Sequence, residues 1–364
     1  MFYFLITFNF LILPLLSGWF YPDSFEYIKV ISFISVTNVY FFITRIVHQS
    51  YNIFKWTVLD WLLIGFWLWL LIASLLNSSL TISIFGQYYR YQGIITLFCF
   101  LEFYYLIVIS KYQISKVKAL IFLSGILNCL FVIGQFLFNS ASFYGRYTAN
   151  LGNPNFTGGF LALCFGFSNI LFFPLFLVAI LLTGSRSALL ALGVMMVIRL
   201  FGLIKNKKIA SVFILAIVLG LVLVFPKREI SSFDSRFEIW NKAIVAIGNK
   251  PVIGYGVENF DRAFTSVLGN LDFDLKNIRV DKAHNELLEY TVAGGILAGL
   301  LYGSIIIYSL LKIKENWLVA TFVGYLIISS LNVMSVAEYL FFFLILAIIK
   351  QTSVDKFADN DRQE

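Results

Sequence analysis

Residues 280–290, VDKAHNELLEY, place Asp281, Lys282, His284, Asn285, Glu286 and Glu289 within nine positions, directly before a long apolar run. His284 is one of only two histidines in the chain. A neutral imidazole is a competent general base near pH 7. The local pattern favours neutrality: Asp281 is placed to cap a helix that starts near Lys282, so His284 would lie in its first turn. The partial positive charge of a helix N-terminus disfavours imidazolium there. The plain alternative is a surface histidine holding a structural hydrogen bond. His48 lies in a short basic connection and reads as structural.

Four arginines extend the chemistry. Arg90 stands in GQYYRYQG, Arg146 in YGRYTANLGNPN, Arg186 in TGSRSA and Arg236 in SSFDSRFEIW. Arg186 opens an apolar helical run, where first-turn N–H groups welcome an anion. Guanidinium groups from four separate segments, together with a histidine, suit a multiply charged anion such as a diphosphate. Asp281, Asn285 and Trp240, with Asn153 and Asn155 of the NPN motif, take supporting places around them. Asp272 and Asp274, in DFD, form an isolated D-x-D pair that reads as a solvated turn, so no metal and no cofactor is expected.

The elements that must position these residues are membrane helices. The chain is 60% hydrophobic, 18% aromatic and only 13% charged, with a mean hydropathy of +0.85. Water-soluble domains carry about 25% charged residues. Apolar runs recur near 2–20, 26–44, 56–76, 94–110, 118–138, 156–169, 171–184, 186–204, 209–225, 286–311, 316–333 and 336–350. The expectation is an all-α polytopic integral membrane protein of about twelve spans, forming a single membrane domain over 1–364. The first run lacks a basic n-region and a small-residue cleavage site, so it reads as a retained span rather than a signal peptide. Cys99, Cys129 and Cys164 sit inside apolar runs at unrelated spacings and read as packing residues.

A net charge of +7 fits basic cytoplasmic loops rather than nucleic-acid binding. Lys111, Lys116 and Lys118 mark one such loop; Arg199, Lys205, Lys207 and Lys208 another; Lys312 with Lys314, and Lys350 with Lys356, two more. An even number of crossings must separate the first two, so 156–184 has to turn around as two short or tilted helices. Both termini then face the cytoplasm, with 351–364 a short tail, and the larger loop 226–285 faces outward with the arginines and His284.

Within that loop Phe233, Phe237, Trp240, Ile244 and Ile247 recur at amphipathic-helix spacing. Asp234 or Ser235 could cap its start, and Gly248 and Pro251 end it. Such a helix lies along the membrane surface with Trp240 at headgroup level. Arg236, on the edge of its apolar face, either snorkels to lipid phosphate or grips a substrate phosphate. Gly254 and Gly256 permit unusual backbone geometry or the close approach of a ligand.

In order and spacing, RYTANLGNPNFTGGFLAL, LLTGSRSALLAL, SRFEIWNKAIVAIGNKPVIGYGVENF and DKAHNELLEYTVAGGILAGLL resemble the O-antigen ligase and polymerase superfamily. GQYYRYQG is similar to that family's glycine- and arginine-bearing outer loop, and the resemblance spans roughly residues 80 to 310. It implies a glycosyltransferase of the bacterial inner membrane that moves a glycan from a polyprenyl (undecaprenyl) diphosphate carrier to an acceptor hydroxyl on the outer face. His284 would be the base and Arg186 and Arg236 the main diphosphate grips, with Arg90 and Arg146 assisting. The partners implied are the lipid-linked oligosaccharide donor, a glycan or lipid acceptor and membrane lipids. Ligase is preferred to polymerase. The compact outer loop, with no soluble domain after the last span, argues against a protein glycosyltransferase. A flippase or transporter is the rival of another class; it needs ionisable groups along a path through the spans. Glu102 is the clearest such group, with Asp60 and Glu338 nearer the interfaces. A scaffold protein would leave the arginines and His284 unexplained.

Overall fold

The computed structural model describes residues 2–16, 25–47, 54–77, 79–88, 90–110, 112–140, 145–204, 231–269 and 280–360. Every regular element among these residues is a helix. Lipid offers backbone groups no hydrogen-bond partner, so long apolar runs must satisfy them internally. The span expected at 209–225 lies outside the described residues, and each of the others falls on a helix. Among the described residues five helices are long and apolar enough to cross a membrane by length and composition.

In chain order the helices are α1 (Phe2–Leu15), α2 (Phe25–Val47), α3 (Val58–Leu75), α4 (Leu80–Phe85), α5 (Ile94–Ile109), α6 (Ile114–Leu137) and α7 (Pro154–Phe167). They continue as α8 (Phe173–Thr183), α9 (Arg186–Leu203), α10 (Ser231–Asn249), α11 (Phe260–Ser266), α12 (Glu286–Lys312), α13 (Asn316–Leu331) and α14 (Val336–Asn360). α14 continues ten residues past Lys350, where the last span was expected to end. The core is built on α7 and the first half of α14, whose side chains from Val336 to Ile349 are all buried.

The turn-around at 156–184 is present. α7 has 14 residues, about 21 Å of helix against the roughly 30 Å of a hydrocarbon core. It tolerates that length because protein surrounds it: every residue from Phe156 to Phe167 is buried. Arg199, near the end of α9, caps α7 by donating from Nη1 to Phe165 O at 3.0 Å and from Nη2 to Ser168 O at 2.8 Å. α7 therefore ends beside the end of α9, and α8 runs between them in the opposite direction.

Charge is sorted to two ends of the bundle, but some of it is structural. Lys350, expected to mark a cytoplasmic loop, is buried inside α14, with Nζ 2.8 Å from both oxygens of Asp60. Asp60 also closes the capping box of α3 with Thr57 and accepts from Tyr104 Oη at 2.8 Å. At the opposite end, Glu338 caps α14, accepting from Ser335 N and Oγ at 2.8 Å each. Asp60 and Glu338 thus serve helix starts at opposite ends rather than one continuous path. The three cysteines are buried and free.

α12 is not one straight span. Gly294 and Gly295 (φ +69°) break it, and the loop after α10 enters the break. Tyr255 N donates to Val292 O at 2.9 Å, Gly256 N to Ala293 O at 2.8 Å, and Ile296 N to Pro251 O at 2.7 Å. Trp69 Nε1 takes up Gly294 O at 2.7 Å. Gly254 (φ +66°) and Gly256 (φ +87°) take the unusual backbone geometry expected of them, and what approaches Gly254 is the backbone of α12: a Cβ there would collide with Val292 O.

Replacing Arg199 with Met should lower stability by about 1.5–3 kcal/mol, the worth of hydrogen bonds from a charged donor. Thermal unfolding of the purified protein in detergent would register this as a reduced midpoint; an unchanged midpoint would mean that Arg199 does not hold the α7 turn.

Candidate active site

Of the candidate site residues, Asp281, His284 and Asn285 lie where α12 begins. Two residues compete to cap that helix, and Asn285 wins: its Oδ1 accepts from Leu288 N at 3.1 Å, and α12 starts at Glu286. Asp281 does not cap. Its carboxylate is drawn instead to Arg90, with Nε–Oδ2 at 2.9 Å. The expectation of a helix from Lys282 with His284 in its first turn is therefore corrected. His284 stands just before the helix, half-buried, with φ +54°, a left-handed conformation that costs a non-glycine residue about 1–2 kcal/mol.

Such a backbone persists only when its surroundings fix it, and both neighbouring residues are pinned. Ala283 N donates to Glu289 Oε2 at 2.8 Å, and Ala283 O accepts from Trp240 Nε1 at 2.9 Å. Lys282 is buried, in direct ion-pair contact with Glu258 and 3.3 Å from Glu289 Oε1. Burial alone would lower the Lys282 pKa, but the charges of Glu258, Glu289 and Glu286 hold it above the ordinary lysine value. Glu258 is tied in turn to the hairpin before α5: Gln87 N donates to its Oε2 and Gln87 Nε2 to its carbonyl, both at 3.0 Å.

Trp240, expected at headgroup level, is turned inward onto the His284 loop. α10 begins at Ser231, before the expected cap at Asp234 or Ser235, and it ends at Asn249 as expected. Its buried stripe is Ile239, Ala243 and Ala246, packed against Phe260, Phe264 and Val292. Phe237 and Ile244 point outward, as does Val245. The amphipathic helix exists, and of the large apolar residues that signalled it Trp240 and Ile247 pack against protein while Phe237 and Ile244 do not.

Two of the four arginines come together. Arg186 is the first residue of α9, and its neighbour Ser187 Oγ accepts from Asn332 Nδ2. Asn332 Oδ1 lies 3.5 Å from Arg236 Nη2. One asparagine at the end of α13 thus bridges the segments carrying Arg186 and Arg236. Burial lowers the Arg236 pKa and the charge of Arg186 lowers it further, so the two guanidiniums sense each other. Arg236 is thereby directed into the protein rather than to lipid.

Arg146 spans the α8–α9 turn, with Nε donating to Thr183 O at 2.7 Å and Nη2 to Asn155 Oδ1 at 2.8 Å. Asn153 caps α7 by accepting from Asn155 N at 2.8 Å. Arg90 pairs with Asp281, and its guanidinium also lies over the Phe156 ring.

Imidazolium is opposed at His284. Burial pushes its pKa down most, and the charge of Arg236 pushes it further; Asp281 opposes the shift and Arg90 adds to it, leaving a value of about 4. The imidazole is neutral at physiological pH, as expected, but from burial and arginines rather than from a place in the helix. Burial would raise the Asp281 pKa, yet the charge and hydrogen bond of Arg90 hold it below the ordinary aspartate value. Among the described residues no group of three His, Cys, Asp or Glu side chains could hold a metal; Asp272, Asp274 and His48 lie outside them.

Sequence reasoning missed Asn332 and the Glu258–Lys282–Glu289 cluster. The cluster left one trace, three charged residues within or beside apolar stretches. Asn332 left none.

Residues 171–303 match the family model described as O-antigen ligase. A curated relative, the ComP-specific O-oligosaccharyltransferase of Acinetobacter baylyi, is 27% identical over 224 residues, covering 54% of this chain and 40% of that protein. The chain thus spans well under half of this relative. The resemblance to the O-antigen ligase superfamily is upheld by both findings.

Replacing Lys282 with Met keeps the length of the side chain and leaves buried carboxylates unanswered, a change that typically costs about 3–5 kcal/mol. Chemical denaturation of the Lys282→Met protein should show that loss, and a midpoint equal to wild type would remove the cluster as the anchor of the His284 loop.

Proposed function

We propose that this membrane protein, which carries an O-antigen ligase domain, is a ligase-type glycosyltransferase. It moves a glycan from a polyprenyl diphosphate carrier, undecaprenyl diphosphate, to an acceptor hydroxyl. The observation that carries the reading is the gathering of Arg186 and Arg236 beside a neutral His284. Two guanidiniums that repel one another are stabilised by an anion placed between them, and a diphosphate supplies two negative groups.

In the reaction, His284 accepts the proton of the acceptor hydroxyl as the oxygen bonds to the anomeric carbon. The bond from that carbon to the diphosphate oxygen breaks, and its electron pair leaves with the diphosphate. Arg186 and Arg236 meet the developing charge, so neither a metal nor protonation of the leaving group is required. Arg146 flanks this grip from the α8–α9 turn, and Arg90 orients the loop through Asp281. Attack from the face opposite the carrier inverts the anomeric centre.

The site lies at the end of the bundle opposite Lys312 and Lys314, which stand at and just beyond the far end of α12. Their positive charge supports a site on the outer face of the bacterial inner membrane. An envelope glycan or lipid bearing a free hydroxyl is the acceptor. Transfer of a finished oligosaccharide is preferred to polymerisation because the curated relative is named for oligosaccharyl transfer.

Turnover by His284→Ala, measured as carrier diphosphate released in proteoliposomes, should fall about 10²–10⁴-fold, the usual worth of a general base. Donor binding should survive. Equal release by mutant and wild type would remove His284 from the mechanism, and movement of the donor across the bilayer without release would favour a transporter.

The pH profile offers a second check. The free site holds His284 at about 4, so kcat/KM should fall only as pH drops through that region. A bound diphosphate adds negative charge and stabilises imidazolium, which raises the pKa in the complex. The acid limb of kcat should therefore lie at higher pH than the limb of kcat/KM, and coincident limbs would contradict a diphosphate beside the imidazole.

A further inference from the structure

The hairpin that carries Arg90 also carries tyrosines to which the mechanism gives no role. It is tightly closed: a Cβ on Gly86 would collide with the backbone at Gln92, and one on Gly93 with Ile84 O. Arg90 N and Tyr91 N both donate to Gln87 O at 2.9 Å. Tyr91 takes φ +52°, a conformation that favours glycine and that a bulky side chain adopts only under constraint. The constraints are visible: Thr96 Oγ1 donates to Tyr91 O at 2.6 Å, and Gln92 Nε2 to Met334 O at 3.0 Å. The Tyr91 ring is thereby held with its centroid 4.7 Å from that of Tyr27 and 6.1 Å from that of Tyr88. Tyr88 is 70% exposed and Tyr27 40%.

A membrane-interface belt also uses tyrosine, but it needs only helix ends at headgroup depth. Here three rings from two segments are gathered by a strained hairpin. The same hairpin is bolted to the His284 loop by Arg90 and Asp281 and to Glu258 by Gln87. A sugar ring presents an apolar C–H face and a rim of hydroxyls, the complement of an aromatic face that ends in a phenol.

We propose that Tyr27, Tyr88 and Tyr91 form a glycan subsite, a platform on which a pyranose ring stacks beside the transfer site while the phenols meet its hydroxyls. The subsite rests on the glycan-transfer reading and adds to it the residues that recognise sugar.

The test uses the full chain in nanodiscs and three probes: undecaprenyl diphosphate, undecaprenyl diphosphate bearing a trisaccharide with N-acetylhexosamine at its reducing end, and the same trisaccharide free. Tyr88→Ala removes an exposed ring, Tyr91→Gly removes a ring while suiting the backbone, and Tyr88→Phe keeps the stacking face. Kd for the carrier-linked trisaccharide should rise about three- to tenfold in Tyr88→Ala and Tyr91→Gly, the worth of one aromatic contact. It should stay within about twofold of wild type in Tyr88→Phe, and Kd for the bare carrier should not change. Saturation transferred from protein to sugar C–H protons should appear with wild type and fade in the first two variants. If it appears only on the linked trisaccharide the platform holds donor, and if also on the free one it admits acceptor glycan as well.

An unchanged Kd for the linked trisaccharide would overturn the subsite, and an equal loss for the bare carrier would identify a lipid belt instead. Failure of the bare carrier to bind, with sugar contact still lost in the variants, would refute the diphosphate reading and leave the platform standing.

Discussion

The buried contact of Lys282 with Glu258 and Glu289 is the constraint on which the site depends. Each charge taken out of water costs several kcal/mol unless answered, and in a chain only 13% charged such a cluster is conspicuous. Its geometry explains its presence. Glu258 belongs to the loop after α10 and is held by Gln87 of the hairpin; Glu289 belongs to α12; Lys282 precedes His284 by two residues. The loop after α10, the His284 loop and the start of α12 are joined at one ammonium group, and Gln87 ties the hairpin to them from 171 positions away. The left-handed backbone of His284 is sustained because the residues before it cannot relax.

Electrostatics around that loop are deliberately uneven. On one side Arg90 is matched by Asp281, so that contact fixes position. On the other, Asn332 links the segments carrying Arg186 and Arg236, whose charges act on each other. The ion pair places the loop, and the two arginines set positive charge beside it. Two of the other buried carboxylates serve helix starts: Asp60 through the capping box of α3, where it also meets Lys350, and Glu338 through Ser335. That distribution suits catalysis at one end better than passage through the middle.

Much of this was legible in the sequence, for reasons that differ by level. Apolar runs declare helices because lipid permits little else, and loop charges declared that 156–184 must turn around. His284 and the arginines stood out because a hydrophobic chain has few such groups. The start of α12 could not be read, since Asp281 and Asn285 are both good capping residues and the choice is made by Arg90, 191 positions away. The inward face of α10 was likewise decided by what packs on it: small residues at 243 and 246 admit α11 and α12, while Phe237 and Ile244 are left outside. Lys350 looked like a loop charge because its partner Asp60 lies 290 residues earlier. Local pattern encodes local structure, and each of these errors is a long-range contact overriding it.

The break in α12 gives that helix two allegiances. Above Gly294 its backbone carbonyls are engaged by the loop after α10, and Glu289 belongs to the charge cluster. Below Gly295 it packs as an ordinary span against α3. The stretch that follows His284 therefore answers to both bodies: the loop after α10 enters its break, while Glu286 accepts from Tyr339 Oη and the Tyr290 ring packs on Phe66. A load on the cap would pass through these contacts into α3 and α14, so the base is braced against the membrane-embedded half.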